Sequence, residues 1–255
     1  MGADALFLDF DGTLADIVDD PDAAALPPGF GGVLASIADA YGGAVAVVSG
    51  RAVESLDARL PKGLWRVGGH GAEIAAPGKP PQSSSRIPDA VAEAARWLDQ
   101  SYPGVKIEPK PTGVAVHFRH ARHAENACRQ ALERALEAAP GYVLQEGKCV
   151  IEARPAGLDK GAALQTLMKQ APFKGKRPIA IGDDVTDGSM MMAAKRAGGL
   201  GLGVGVDLPG AQRRFEHPVE VRAWLIGKLA PPRSRRPEPE FPRSEALIAG
   251  AALTP

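Results

Sequence analysis

The chain has 255 residues, 45% of them hydrophobic, which is enough for one large or two modest domains with a substantial core. Thirty Lys and Arg balance thirty Asp and Glu, so charge gives no reason to expect nucleic acid or an anionic membrane as a partner. The N-terminus lacks a basic region followed by a long apolar run, and no stretch reaches the roughly 18 apolar residues of a spanning helix, so a soluble, cytoplasmic protein is expected.

The first apolar run, Ala5 to Phe10, reads as a buried strand, and it leads into Asp9-Phe10-Asp11-Gly12-Thr13-Leu14. At the carboxyl end of a strand in an open α/β sheet, such acids face the crevice where ligands bind. One carboxylate can attack phosphorus while the other handles a proton; by itself, the hexapeptide fits a plain Asp-Gly turn equally well. Phe30 to Tyr41 predicts a helix with Val33, Leu34, Ile37 and Ala38 on one face, and Ala44 to Val48 predicts a second strand. Strand, helix, strand in that order implies a right-handed crossover and a doubly wound parallel sheet. The second strand runs into Ser49-Gly50-Arg51, with a helix from Val53 to Leu60 beyond it. A hydroxyl and backbone N–H groups at that position suit an anion, although Ser49 as an ordinary helix cap gives the same pattern. Trp65 to Gly68 predicts a further strand.

The pattern changes after the Pro/Gln/Ser-rich stretch Pro77 to Ser85. Pro88 to Gln100 is helical in spacing, and Val105 to Glu108 and Gly113 to Arg119 read as strands. The second of these alternates Val114, Val116 and Phe118 against Ala115, His117 and Arg119. A helix from Ala121 to Ala138 follows, then a strand pair, Tyr142 to Gln145 and Cys149 to Glu152, around Gly147. Helix-strand-strand occurs twice, which argues for an α+β cap inserted in the sheet domain. The expected division is a core of residues 1–85 and 156–230, a cap of residues 86–155 and a Pro-rich tail of residues 231–255. The tail is expected to be loosely packed, unless Ala246 to Leu253 docks as a short helix. Cys128 and Cys149 have no metal-type spacing and are expected to be packing residues, one in a helix and one in a strand, which suits a reducing compartment.

Back in the core, Asp159-Lys160-Gly161 opens a helix whose apolar positions are Leu164, Leu167 and Met168. Lys160 there can neutralise a phosphoryl group or can simply be solvated; the helix dipole opposes a cation at that end, so an acidic partner or ligand is required. Pro178 to Ile181 predicts a strand ending in Gly182-Asp183-Asp184-Val185-Thr186-Asp187. Three acids so close repel one another unless a cation sits among them, and Mg²⁺, with its hard oxygen ligands, is the natural one. A calcium loop lacks its spacing here, and helix capping accounts for one of the acids but poorly for all three. Leu200 to Val204 predicts another strand of the sheet. His120, His123 and His217 form no metal-like cluster and are expected at the surface.

In this order the four motifs resemble those of the haloacid-dehalogenase-like phosphohydrolases, and a cap between the second and third motifs resembles the class that acts on phosphosugars. The segment Gly182 to Asp187 is similar to the acid motif of the trehalose-6-phosphate phosphatases. Gly69-His70-Gly71-Ala72-Glu73, Glu108-Pro109-Lys110, His117-Phe118-Arg119 and Gly147 to Pro155 are similar to other segments of that family. Gly188 departs from it, standing where the family usually carries a glutamate. The resemblance implies an α/β fold with a Rossmannoid core and a phosphoric monoester hydrolase. Asp9 is then the nucleophile that forms an aspartyl-phosphate, Asp11 the acid and then the base, and Ser49, Gly50 and Lys160 the phosphoryl ligands. Mg²⁺ is assigned to Asp9, Asp11 and Asp183, with Asp184 and Asp187 contributing; Arg51, His70, Lys110, His117, Arg119, Lys148 and Glu152 are assigned to the sugar side, with Arg154 near them. The implied substrate is trehalose 6-phosphate in trehalose biosynthesis, with a monomeric enzyme. Sucrose 6-phosphate, a glycosyl phosphoglycerate, or a non-catalytic sugar-phosphate sensor on the same fold are the alternatives.

Overall fold

A computed structural model of the chain describes residues 2–83, 86–110 and 112–229. The predicted tail, with its Ala246 to Leu253 run, and the end of the Pro/Gln/Ser-rich stretch lie outside the described residues. In chain order the elements begin with β1 (Asp4–Leu8), α1 (Phe30–Ala40), β2 (Val45–Val48), α2 (Val53–Asp57), β3 (Trp65–Gly68), β4 (Glu73–Ala75) and β5 (Gln82–Ser83). They continue with α3 (Asp89–Ser101), β6 (Lys106–Lys110), β7 (Gly113–His117), α4 (Glu125–Glu137), β8 (Tyr142–Gly147) and β9 (Val150–Pro155). The last group is α5 (Lys160–Leu167), β10 (Arg177–Gly182), α6 (Val185–Arg196), β11 (Leu200–Val204), β12 (Arg213–Phe215) and α7 (Pro218–Leu229).

The larger sheet has the order β12-β11-β10-β1-β2-β3-β4-β5, parallel from β12 to β3 and antiparallel from β3 through β5. Beyond Asp4 of β1 and Arg177 of β10, the central strands β1, β2 and β10 are apolar because both faces are covered, and alternate residues of β1 feed two separate cores. Leu6 and Leu8 pack with Phe30, Leu34 and Ile37 of α1, Leu56 of α2 and Val221 and Leu225 of α7. Ala5 and Phe7 face the other way, with Leu164 and Leu167 of α5 and Met190 and Met191 of α6. Truncating one such fully buried Leu to Ala removes about 2–5 kcal/mol of stability, since a close-packed interior refills the cavity only in part. From β1 the chain first builds β2 and β3 on one side and later β10 and β11 on the other. The strand order therefore reverses between β1 and β10, and a crevice opens at their carboxyl ends.

The chain between β5 and α5 forms a second sheet, antiparallel, in the order β6-β7-β9-β8. Val114, Val116, Ile151 and Ala153 line one face and pack against Val91, Ala95 and Leu98 of α3 and Cys128 and Leu132 of α4. Period-two alternation then turns Glu108, Lys110, His117 and Glu152 to the opposite face. Cys149 departs from its expected strand position: it lies in the tight turn between β8 and β9 with φ 62°, while Cys128 is buried in α4. Both thiols are free. Among the described residues no helix is long and apolar enough to cross a membrane.

Candidate active site

Asp9 is the first residue beyond β1, is 4% exposed, and donates its backbone N–H to the Ile181 carbonyl of β10 at 2.9 Å. Lys160, at the start of α5, reaches the same point. Its Nζ donates to Asp9 Oδ1 at 2.6 Å and to Asp187 Oδ1 at 2.6 Å, in a setting where all three side chains are buried. These two carboxylates are the acidic partners that a cation at a helix N-terminus requires. Burial opposes the charge on Lys160, but Asp9 and Asp187 outweigh it and raise its pKa, so the ammonium is retained.

Asp187 also accepts from the backbone N–H groups of Asp183 at 3.1 Å and Asp184 at 3.0 Å, which folds the loop after β10 around it. Asp184, also expected to contribute to the metal site, lies outside the Asp9–Asp183–Asp187 group but lines the same cavity. It is exposed, caps α6 by accepting the Val185 N–H at 2.5 Å, and forms a reciprocal capping box with Asp187. Asp183 instead joins Asp9 and Asp187, each offering a carboxylate oxygen within 4.8 Å of the others. Gly12 makes this approach feasible: its φ is +74°, and a Cβ there would overlap the Asp183 carboxylate. Burial, with Asp187 and Asp183 adding to it and Lys160 opposing, raises the Asp9 pKa well above the usual carboxylate value. Burial and then the charge of Asp187 push Asp183 up to about 6. Three carboxylates thus face one ammonium, and a hard-oxygen donor set with surplus negative charge fits Mg²⁺.

Asp11 lies apart from this group. Arg51 donates to it through Nε and Nη2, each at 2.7 Å, while Nη2 also donates to the Pro21 carbonyl and the guanidinium lies over the Phe10 ring. Arg51, expected on the sugar side, is therefore bound to a carboxylate of the first motif. Ser49 is buried beside it, and its Oγ accepts the Arg51 N–H at 3.2 Å, a local turn that precedes α2 and leaves the hydroxyl proton available.

A cavity of about 750 Å³ joins these groups. It is lined by Asp9, Asp11, Ser49, Gly50, Arg51, His70, Lys160 and Asp183 from the larger sheet's loops and by Glu108 from the smaller sheet. Glu108 has no role among the site residues the sequence points to, although it shares a strand face with Lys110. His70 has an unusual positive φ of 54°, packs its ring over Gly50 and has an Nδ1 that is buried with no hydrogen-bond partner. Burial first, then the charge of Lys160, lowers its pKa to about 4, so the ring is neutral. Lys110 and Glu152 pair at 2.9 Å in a small crevice beside Gly69, next to the main cavity rather than in it. His117 pairs with Glu108 at 2.8 Å, while Arg119 and Lys148 are exposed and line neither space. Glu73, quoted within a motif but given no role, is buried and accepts the Val53 N–H.

A family model described as Trehalose-phosphatase matches residues 7–209. The chain is 39% identical over 236 residues to a Sinorhizobium fredii protein named "Probable trehalose-phosphate phosphatase", covering 89% of this chain and 87% of that one. It is 36% identical over 227 residues to the trehalose-6-phosphate phosphatase of Escherichia coli, covering 87% and 85% of the two chains. Among solved structures, trehalose-6-phosphate phosphatase of Aspergillus fumigatus superposes with a TM-score of 0.65 at 25% identity, over 89% of this chain and 92% of that one.

Proposed function

The chain belongs to the trehalose-phosphatase family and is a phosphatase, and from this premise we propose that it hydrolyses trehalose 6-phosphate to trehalose and phosphate. Residues 1–85 and 156–230 act as the catalytic core, and residues 86–155 as a cap that reads the sugar. The observation that carries the reading is the buried Asp9–Lys160–Asp187 contact beside Asp183, at the strand reversal point and open to a cavity shared with the cap.

Asp9 attacks phosphorus through a carboxylate oxygen; the new P–O bond forms as the bond to the sugar oxygen breaks, leaving an aspartyl-phosphate. Asp11 gives a proton to the departing sugar oxygen and then takes one from the attacking water, whose new P–O bond forms as the P–O bond to Asp9 breaks, releasing phosphate and returning both residues to their starting states. Because Arg51 holds both Asp11 oxygens, Asp11 acts only after that pair opens, and the freed guanidinium then faces the phosphosugar. Ser49, the Gly50 N–H and Lys160 hold the phosphoryl oxygens, and Asp187 keeps Lys160 aimed. Asp9 and Asp183, with the Asp11 backbone carbonyl, would hold Mg²⁺, which when bound supplies positive charge to the phosphoryl oxygens. Lys110, Glu152, Glu108 and His117 offer the cap's donors and acceptors to sugar hydroxyls.

Phosphate release by the purified chain, with Mg²⁺ and with chelator, on trehalose 6-phosphate, sucrose 6-phosphate and glucose 6-phosphate tests this reading. Metal-dependent release from the trehalose ester in preference to the others is expected. Preference for another ester overturns the substrate, and binding without release would make the chain a sensor.

A further inference from the structure

We infer that Glu73 is the positioning residue of the phosphoryl loop, holding Ser49 and Gly50 in place through the backbone of Val53. The inference rests on the reading of Ser49 and Gly50 as phosphoryl ligands, and it assigns work to a buried acid that the reaction itself leaves unused.

Glu73 begins β4, is 4% exposed, and its Oε2 accepts the Val53 N–H at 3.0 Å in a fully buried bond. Val53 is the first residue of α2, a five-residue helix whose N-cap is Ala52, and Ala52 makes no side-chain cap bond. The helix that follows the phosphoryl loop therefore takes its cap from across the sheet, from a residue 20 positions later. Two backbone bonds act alongside it: the Gly69 N–H donates to the Arg51 carbonyl at 2.9 Å, and the His70 N–H to the Ser49 carbonyl at 3.0 Å. Gly68 makes the approach possible, because a Cβ there would sit 2.6 Å from the Val53 nitrogen and 3.0 Å from Glu73 Oε2. On its other side the same segment touches the third motif: a Cβ on Gly71 would come within 2.7 Å of the carbonyl oxygen of Asp159, the residue before Lys160.

Residues 68–73 thus form a wedge between the two elements that supply phosphoryl ligands, the loop carrying Ser49 and the helix carrying Lys160. Among the described residues Glu73 is the wedge's only side chain hydrogen-bonded to the start of α2, the helix into which the phosphoryl loop runs. Displacing a binding group by about 1 Å can reduce rate by about a hundredfold, so the fixing of this loop bears directly on activity.

The test compares Glu73→Gln, Glu73→Asp and Glu73→Ala by calorimetric binding of inorganic phosphate in the presence of Mg²⁺, and by kcat and KM on trehalose 6-phosphate. Gln retains an acceptor oxygen at the same reach, so its phosphate affinity and kcat/KM should stay within about threefold of the original. Asp keeps the carboxylate but is one methylene too short, and it should weaken phosphate binding about tenfold and kcat/KM by about tenfold or more, as should Ala. Asp keeps the inference falsifiable if the Ala variant does not fold. Folded Asp and Ala variants that bind phosphate as the original chain does would overturn the inference, as would a Gln variant as impaired as Ala. If the original chain neither binds phosphate nor hydrolyses the ester, it is the phosphoryl-site reading that fails; if it does both while Asp matches it, only the role of Glu73 fails.

Discussion

The larger sheet's loops and the smaller inserted sheet, proposed as core and cap, hold their polar residues in opposite ways. Around the larger sheet, Lys160 donates to both Asp9 and Asp187 with all three side chains buried, Asp11 is gripped by Arg51 through both oxygens, and Ser49 is tied to its own turn. In the cap, Lys110 pairs with Glu152 and His117 with Glu108 on a partly solvated sheet face, and Arg119 and Lys148 stand in solvent. On the proposed function, Asp9 and Lys160 are set in place before the substrate arrives, whereas Asp11 must first be released by Arg51. On the same reading, Lys110, Glu152, Glu108 and His117 rest on each other and exchange partners for sugar hydroxyls, which offer similar hydrogen bonds.

The sharpest way to break this comparison is at Asp9. Asp9→Asn keeps the shape and removes the nucleophile, and kcat should fall by about 10⁴-fold or more while the phosphosugar still binds; residual turnover near the original value would remove Asp9 from the chemistry. Chelation comes next: activity should drop at least about a hundredfold and return on adding Mg²⁺, since surplus carboxylate charge would otherwise face the phosphoryl group. A cap change should be smaller and selective. Lys110→Ala is expected to raise KM for trehalose 6-phosphate about tenfold, the loss of roughly one hydrogen bond to a charged group, with little effect on glucose 6-phosphate. An equal effect on both esters would mean that Lys110 serves the phosphoryl site, and the contrast between core and cap would collapse.

Two weaker effects sharpen it further. Gly188 is buried on α6, and a side chain there would meet Pro209 at 3.3–3.5 Å, whereas the acid cluster gathers around Asp187. Gly188→Glu should therefore leave Mg²⁺ affinity within about threefold and lower thermal stability, consistent with an overpacking cost of about 1–3 kcal/mol. His70 is held neutral, with its pKa lowered to about 4 from an unfolded value near 6.5. The unfolded chain then binds more protons in that interval, so the contribution of His70 is complete above about pH 6.5 and is lost as pH falls toward 4. Melting curves between pH 4 and 7 should show a flatter acid side for His70→Gln than for the original chain; parallel curves would show that the imidazole is not held neutral.

Much of the core was legible because chemistry and hydrophobicity were written in adjacent residues. The apolar runs of β1, β2 and β10 each end in an acid- or hydroxyl-bearing segment, so finding the strand also places that acid or hydroxyl at its carboxyl end. Very short strands carry no such signal: β4, β5 and β12 have two or three residues each and have no counterpart among the elements predicted from sequence, and neither does α7, which buries only Val221 and Leu225. Partners were harder still. Lys160 lies 151 residues from Asp9, and Arg51 lies 40 residues from Asp11, so neither pairing leaves a local pattern. Asp184 and Asp187 look alike in sequence, and only the turn into α6 separates the exposed helix cap from the buried anchor.

The way the two sheets end has a consequence for the protein's behaviour in crowded solution. Unpaired strand edges invite other chains to add themselves, and the apolar central strands would be hazardous if they lay at an edge. The large sheet instead finishes on β12, three residues that include Arg213 and Arg214, and on β5, two exposed residues. The small sheet finishes on β6, where Lys106 and Lys110 add charge and Pro109 has no N–H to offer, and on β8, which exposes Gln145 and Glu146. Three of the four margins are thus short or charged, which disfavours edge-to-edge pairing with other chains; β8, which exposes Val143, is the margin that keeps an apolar side chain in solvent.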